Sequence, residues 1–150
     1  MAEIPVLAPL DGLVIELEQV PDEVFAQKMV GDGLAIDPQG AVAVAPISGK
    51  LIKLFPGGHA FGIAAEQGIE LIVHLGLDTI ELEGEGFTRI ATEGQMVRMG
   101  EPIVRFDRLT IERTGKVMLS PVVSTGEGTI TRRTSGTVKA GQDILFVLNV

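Results

Sequence analysis

The stretch "IELIVHLGL" (Ile69–Leu77) alternates in a way that decides how the chain is read. Residues two apart share a face of an extended strand. Ile69, Leu71, Val73, Leu75 and Leu77 then form one wholly apolar face, which predicts a strand laid against a hydrophobic core. The other face carries Glu70, Ile72, His74, Gly76 and Asp78. A titratable ring is thus turned away from the core, beside a glycine that has no side chain to block an approaching group.

Working outward, "GLVIEL", "AVAVAPI", "GKLIKLF", "EPIVRF", "KVMLSPVV" and "DILFVL" are equally short, equally rich in Val, Ile and Leu, and separated by Gly and Pro. Only "DEVFAQKM" and "DRLTIERTGK" have helical spacing. Many short strands at close intervals predict an all-β fold, an antiparallel sandwich or barrel-sandwich hybrid with short helical turns. Two internal similarities refine it. "LAPLDGLVIEL" (Leu7–Leu17) matches "VAPISGKLIKL" (Val44–Leu54), and a Val-x-x-Gly-x-x-Ile spacing occurs at Val97, Gly100, Ile103 and again at Val138, Gly141, Ile144. Two copies are too few for a solenoid. They predict a pseudo-symmetric sandwich of two related halves.

At 150 residues, with no linker or composition break, one domain spanning 1–150 is expected. No apolar run is long enough to span a bilayer and no secretory signal opens the chain. Cysteine is absent, which excludes disulfides and thiolate metal sites and suits a reducing cytoplasm. A net charge of −8, without any cluster of Lys and Arg, argues against binding a phosphate backbone and favours a basic protein partner.

The chain has two histidines. His59 follows a Pro-Gly-Gly turn and precedes an apolar stretch, which predicts exposure at a strand end. Its separation of 15 residues from His74 (74 − 59) is what consecutive antiparallel strands need to bring two side chains together. Paired imidazoles can bind a metal, run acid–base chemistry, or carry a covalent group on one ring while the other steadies it. A zinc hydrolase needs a third ligand, for which Asp78 is the candidate beside His59 and His74. No Gly-x-Ser-x-Gly elbow supports serine hydrolysis. "MVGDGLAI" lacks the Lys and third Gly of a phosphate loop and reads as a turn. A biotinyl or lipoyl carrier needs a Lys on an exposed hairpin, and Lys28 lacks that setting.

These residues carry a family resemblance. "APLDG", "VPDEVFAQKMVGDGLAI", "VAPISGKLIKLF", "HAFGI", "GIELIVHLGLDTIELEGEGF", "EGQMVRMGEPIVRFD" and "SPVV" run in the order found in the glucose-family enzyme IIA domain of the bacterial phosphoenolpyruvate:sugar phosphotransferase system. The match is strongest from about Leu7 to Asp107, and "HLGLDT" with its upstream His-Ala is its most specific part. The resemblance implies a cytoplasmic phosphocarrier without cofactor or required metal. His74 would take a phosphoryl group from phospho-HPr and pass it to a cysteine of the enzyme IIB domain of a sugar permease, driving sugar uptake. His59, with backbone amides around Gly76, would steady the phosphoryl oxygens. The resemblance also implies that other proteins read the phosphorylation state.

An imidazole attacks phosphorus only when neutral, so acid inhibits acceptance and burial helps by lowering the pKa. By the resemblance, Val24, Phe25, Met29, Val30, Phe55, Ile72 and Ile80 form an apolar rim that keeps water from a hydrolysable phosphate. Asp22 and Asp78 match acidic positions facing a basic residue on the partner, and Asp22 is also placed to cap a helix starting near Glu23. Two departures stand out. Gly57 occupies a position where many members have Thr, and only "MAEIPV" precedes the domain, where some relatives carry an amphipathic membrane-binding tail.

Overall fold

The computed structural model describes residues 2–150. Strands β1 (Glu3–Leu7) and β2 (Gly12–Glu16) lead to a one-turn helix, α1 (Glu23–Ala26), followed by β3 (Asp32–Pro38), β4 (Val42–Val44), β5 (Gly49–Leu54), β6 (Ala60–Ala64) and β7 (Glu70–His74). A 3₁₀ turn at Thr79–Leu82 precedes β8 (Phe87–Arg89), β9 (Met96–Val97), β10 (Pro102–Phe106) and α2 (Arg108–Arg113). The chain finishes with β11 (Ser120–Ser124), β12 (Thr129–Arg133), β13 (Thr137–Val138) and β14 (Ile144–Asn149). Every paired neighbour is antiparallel. An eight-stranded sheet runs β13-β2-β3-β11-β7-β6-β5-β9, and two three-stranded sheets run β1-β14-β12 and β4-β10-β8. The all-β expectation is met, and no sheet among the described residues closes into a barrel.

The main core is built from all three sheets. Leu34, Ile36, Leu51, Phe61, Leu71, Val73 and Val122 of the large sheet meet Val6, Phe146 and Leu148 of one small sheet and Ala43, Ile103 and Phe106 of the other. Neighbours of opposite parity face the other way. Ala35 and Val123, adjacent to Leu34 and Val122, join Leu17, Val20, Phe25 and Leu77 in a second cluster. The alternation read from Ile69 to Leu75 is observed, since all four apolar members of that face belong to the main core. Leu77 departs to the second cluster. The reason is local: Gly76 (φ +80°) and Asp78 (φ +57°) are both left-handed, so the chain leaves extended geometry just after His74 and the period of two no longer applies.

The internal similarities are real symmetry. Leu7 donates to the Pro46 carbonyl (2.9 Å) and its counterpart Val44 donates to the Pro9 carbonyl (2.9 Å). Gly141 donates to Ala8 (2.9 Å) just as Gly100 donates to Ala45 (2.8 Å). β13 adds to β2 at Gly12, and β9 adds to β5 at Gly49, in the same relation. A pseudo-twofold therefore passes between the two Gly-centred turns.

Two sequence expectations are corrected. "MVGDGLAI" is not a turn: Asp32–Pro38 is a central strand flanked by β2 and β11. Its glycines are there for close approach, because a Cβ on Gly33 would lie 1.9 Å from the Val122 carbonyl oxygen. Helix α1 is short, as expected of "DEVFAQKM", and its stop is local. Lys28 turns left-handed (φ 59°), with Met29 N–H on the Val24 carbonyl (3.0 Å) and Lys28 N–H on the Phe25 carbonyl (2.9 Å), a Schellman stop built without glycine. Of "KVMLSPVV", only the part from Ser120 onward is strand.

Candidate functional site

Strands β6 and β7 pair with Ala60 opposite His74, and Leu75 N–H donates to the His59 carbonyl (2.7 Å). That register brings the two imidazoles together, with ring centroids 5.5 Å apart at an interplanar angle of 67°. His59 is only 4% exposed, so the expected exposure at a strand end is corrected: the ring is covered. Phe55 lies edge-on to it, 5.0 Å away. Among the described residues no hydrogen bond holds the His59 ring. A Cβ on Gly57 would begin 3.5 Å from its Nδ1, so glycine there leaves out the one side chain best placed to make such a bond.

His74 is half-buried and firmly oriented. Its Nδ1 lies 2.7 Å from the Gly76 carbonyl oxygen. A carbonyl can only accept, so Nδ1 carries the proton, and in the neutral ring the lone pair resides on Nε2. Phe25 packs against the ring from behind at 5.4 Å. Burial pulls the His74 pKa below its ordinary 6.5, against the Gly76 hydrogen bond and the charges of Asp22 and Asp78, which raise it. His59 is lowered too, first by burial and then by the neighbouring His74. The pair is therefore neutral at physiological pH.

Helix α1 places the next layer. Asp22 accepts from Val24 N–H (3.0 Å) as the expected N-cap, and its charge also reaches His74. Asp78 is exposed and acts on the same ring. The apolar residues divide by exposure. Met29 (69%), Ile80 (60%) and Val24 (44%) present themselves to solvent, and Phe55, Val30 and Ile72 are half-buried, the last two packing on the second cluster. Phe25 is buried and forms a floor for His74 rather than part of a rim. The sequence reading missed Val117, 44% exposed, whose carbonyl accepts Leu77 N–H (2.8 Å). Nothing local marks it, because its neighbour is 40 residues away (117 − 77).

The backbone amides around Gly76, expected to help hold a ligand, are already engaged. Leu75 donates to His59, Gly76 to Ser120 Oγ (3.1 Å) and Leu77 to Val117. Among the described residues no group of three or more His, Cys, Asp or Glu side chains comes together as a metal-ligand set, so Asp78 does not complete a zinc site with the two rings. No helix is long and apolar enough to cross a membrane.

Two neutral imidazoles thus meet at a β-hairpin, one with its tautomer fixed and both framed by apolar side chains. Residues 4–130 match the family described as phosphoenolpyruvate-dependent sugar phosphotransferase system, EIIA 1, and the chain belongs to that family. It is 43% identical over 148 residues to the glucose-specific EIIA component of Haemophilus influenzae, covering 97% of this chain and 89% of that one. A glucose-specific EIIA component of Staphylococcus aureus is 44% identical over 123 residues, 82% of this chain and 74% of the relative. The solved glucose permease IIA from Mycoplasma capricolum superimposes with a TM-score of 0.94 at 40% identity, covering 98% of this chain and 96% of that one.

Proposed function

We propose that the chain is a cytoplasmic phosphocarrier in which His74 Nε2 takes a phosphoryl group from phospho-HPr and hands it to the cysteine of an enzyme IIB domain. The observation that carries this is the Nδ1–H bond from His74 to the Gly76 carbonyl, which leaves the Nε2 lone pair as the nucleophile. In the first transfer an Nε2–P bond forms as the N–P bond of the donor histidine breaks. In the second, a thiolate attacks phosphorus and Nε2 regains its lone pair. Nδ1 keeps its proton throughout, and the Gly76 carbonyl offsets the positive charge that develops on the ring.

The chemistry needs in-line positioning, charge support and exclusion of water more than covalent help. His59, 5.5 Å from His74 between centroids, steadies the phosphoryl oxygens with a ring N–H. Val24, Met29 and Ile80 are exposed apolar contacts for both partners, and Asp22 and Asp78 supply the negative charge that a basic partner face would meet. The glucose-specific names of the relatives make a glucose-type permease the expected recipient. The test supplies phosphoenolpyruvate, enzyme I and HPr and maps the acid-labile phosphate. Labelling confined to His74, and abolished in His74→Ala, is expected. An unlabelled protein, or label surviving His74→Ala, overturns the proposal.

A further inference from the structure

The reactivity assigned to His74 depends on where one carbonyl points, and that carbonyl sits in a turn that is hard to hold. Gly76 (φ +80°) and Asp78 (φ +57°) are both left-handed, and such backbone persists only where its surroundings fix it. Leu75 and Leu77 are anchored by backbone carbonyls, those of His59 and Val117. Thr79 Oγ1 donates to the Leu75 carbonyl (2.7 Å). Gly76 itself is held differently: its N–H donates to the side chain of Ser120, on another strand and 44 residues away.

We infer that Ser120 is a positioning residue for His74, setting the Gly76 carbonyl against Nδ1 and so keeping the lone pair on Nε2. This rests on the phosphocarrier reading for its functional consequence, although the tautomer can be measured without it. The Ser120 hydroxyl is fully buried and used in both directions. It accepts from Gly76 N–H (3.1 Å) and donates to the Met118 carbonyl (2.7 Å). Because its own hydrogen is committed to Met118, an oxygen lone pair is held toward Gly76. From Met118 to Ser120, Gly76 and His74 Nδ1 there is thus a relay of single, directed hydrogen bonds, passing through the two peptides that flank the Gly76 Cα and ending on the reacting ring.

The strap that leads into Ser120, residues 116–119, is tied down as well. Lys116 pairs with Glu81 on the 3₁₀ turn that follows the site. Val117 O and Met118 Sδ would lie 3.0 and 3.1 Å from a Cβ on Gly76, so the strap also presses on the turn. Without the hydroxyl, the Gly76 N–H and the Met118 carbonyl lose their partners in a buried place, and the Leu75–Gly76 peptide rotates to find others, changing φ at Gly76. Gly76 has no side chain to resist, so it passes the change to the next peptide, Gly76–Leu77, whose carbonyl leaves Nδ1, and the ring proton is free to move to Nε2, where it blocks attack.

The strand that carries Ser120 also provides the control. Ser124, at the other end of β11, has a buried Oγ with no hydrogen-bond partner. Ser120→Ala and Ser124→Ala delete the same atom from the same strand, and only the first breaks the chain to His74. With just two histidines in the protein, long-range ¹H–¹⁵N spectra report each ring directly. Expected for folded Ser120→Ala is loss of the Nδ1–H tautomer at His74 and an acceptance kcat lower by on the order of 10-fold, the scale of losing an orienting bond behind a reactive ring, with KM for phospho-HPr unchanged. Ser120→Thr restores both, and Ser124→Ala matches the wild type. Should Ser120→Ala not fold, Ser120→Thr and Ser120→Val, alike in shape and different in the hydroxyl, make the same comparison. A hydroxyl-free variant that keeps the Nδ1–H tautomer and the wild-type rate overturns the inference. A wild-type protein that accepts no phosphoryl group overturns the phosphocarrier reading instead, while the tautomer comparison still judges Ser120.

Discussion

Replacing Gly76 with alanine strikes the same turn from inside. The backbone there has φ +80°, which a non-glycine residue adopts at a cost of about 1–2 kcal/mol. The new methyl would also stand 2.7 Å from Thr79 Cγ2, 3.0 Å from the Val117 carbonyl oxygen and 3.1 Å from Met118 Sδ. Only the methionine sulfur belongs to a flexible side chain. Thr79 is 1% exposed and hydrogen-bonded to Leu75, and the Val117 carbonyl is tied to Leu77. Overpacking of this kind costs about 1–3 kcal/mol, so the sum is roughly 2–5 kcal/mol. Against an m-value of ~2 kcal/mol/M the urea midpoint falls by about 1–2.5 M. The chain has no Trp or Tyr, so unfolding is followed by far-ultraviolet circular dichroism rather than fluorescence. Phosphoryl acceptance is measured without denaturant, where the variant is still folded, and should drop because the Gly76 carbonyl shifts off Nδ1. A midpoint within about 0.3 M of wild type, with unchanged acceptance, would refute the reasoning.

Other substitutions separate the parts of the site. His59→Gln should accept a phosphoryl group and pass it on poorly, and normal onward transfer would show that His59 is dispensable. Acceptance should rise with pH through a midpoint below 6.5 and be level at neutral pH, because burial lowers the His74 pKa and only the neutral ring attacks. Asp78→Asn removes a charge that raises this pKa, so its midpoint moves further down; an upward move would contradict the assignment. Met29→Ser and Ile80→Ser each remove an exposed apolar contact, and should raise KM for phospho-HPr about fivefold, equivalent to ~1 kcal/mol of lost burial, while leaving the urea midpoint in place. Gly33→Ala should fail to fold, since a Cβ 1.9 Å from the Val122 carbonyl cannot be accommodated between two central strands; a soluble, cooperative Gly33→Ala would show that β3 and β11 part easily.

What could be read from the chain alone followed from periodicity, and what escaped it followed from places where the backbone leaves regular geometry. Ile69 to Leu75 alternate faithfully because the strand is extended that far, and the reading failed at Leu77 because Gly76 turns left-handed. The segment around Phe25 has the spacing of a longer helix, but Lys28 adopts φ 59° and stops it after one turn. The spacing of the two histidines was legible, since one hairpin joins them. The depth of His59 was not, because its cover comes from Phe55 and from packing that no local pattern records. Ser120 and Val117 were invisible for a similar reason. A serine at the start of a strand can bond to almost anything, and here its partner is set by how β11 lies beside β7.

The pairing of β1 with β14 gives the molecule an order of assembly. Ala2 N–H meets the Val150 carbonyl (2.7 Å), Val150 N–H meets the Ala2 carbonyl (3.0 Å), and Glu3 faces Asn149. On a ribosome β1 therefore waits until β14, thirteen strands later, has emerged. The hairpin of β6 and β7 needs only neighbours in sequence, so the histidine pair can form while the flank that seals the main core is still unmade. Val6, fully buried in the finished protein, spends that interval on an open edge. The β1–β14 ladder closes a very long loop, so its formation is expected to be slow, and the open edge before it is where the nascent chain is exposed to aggregation.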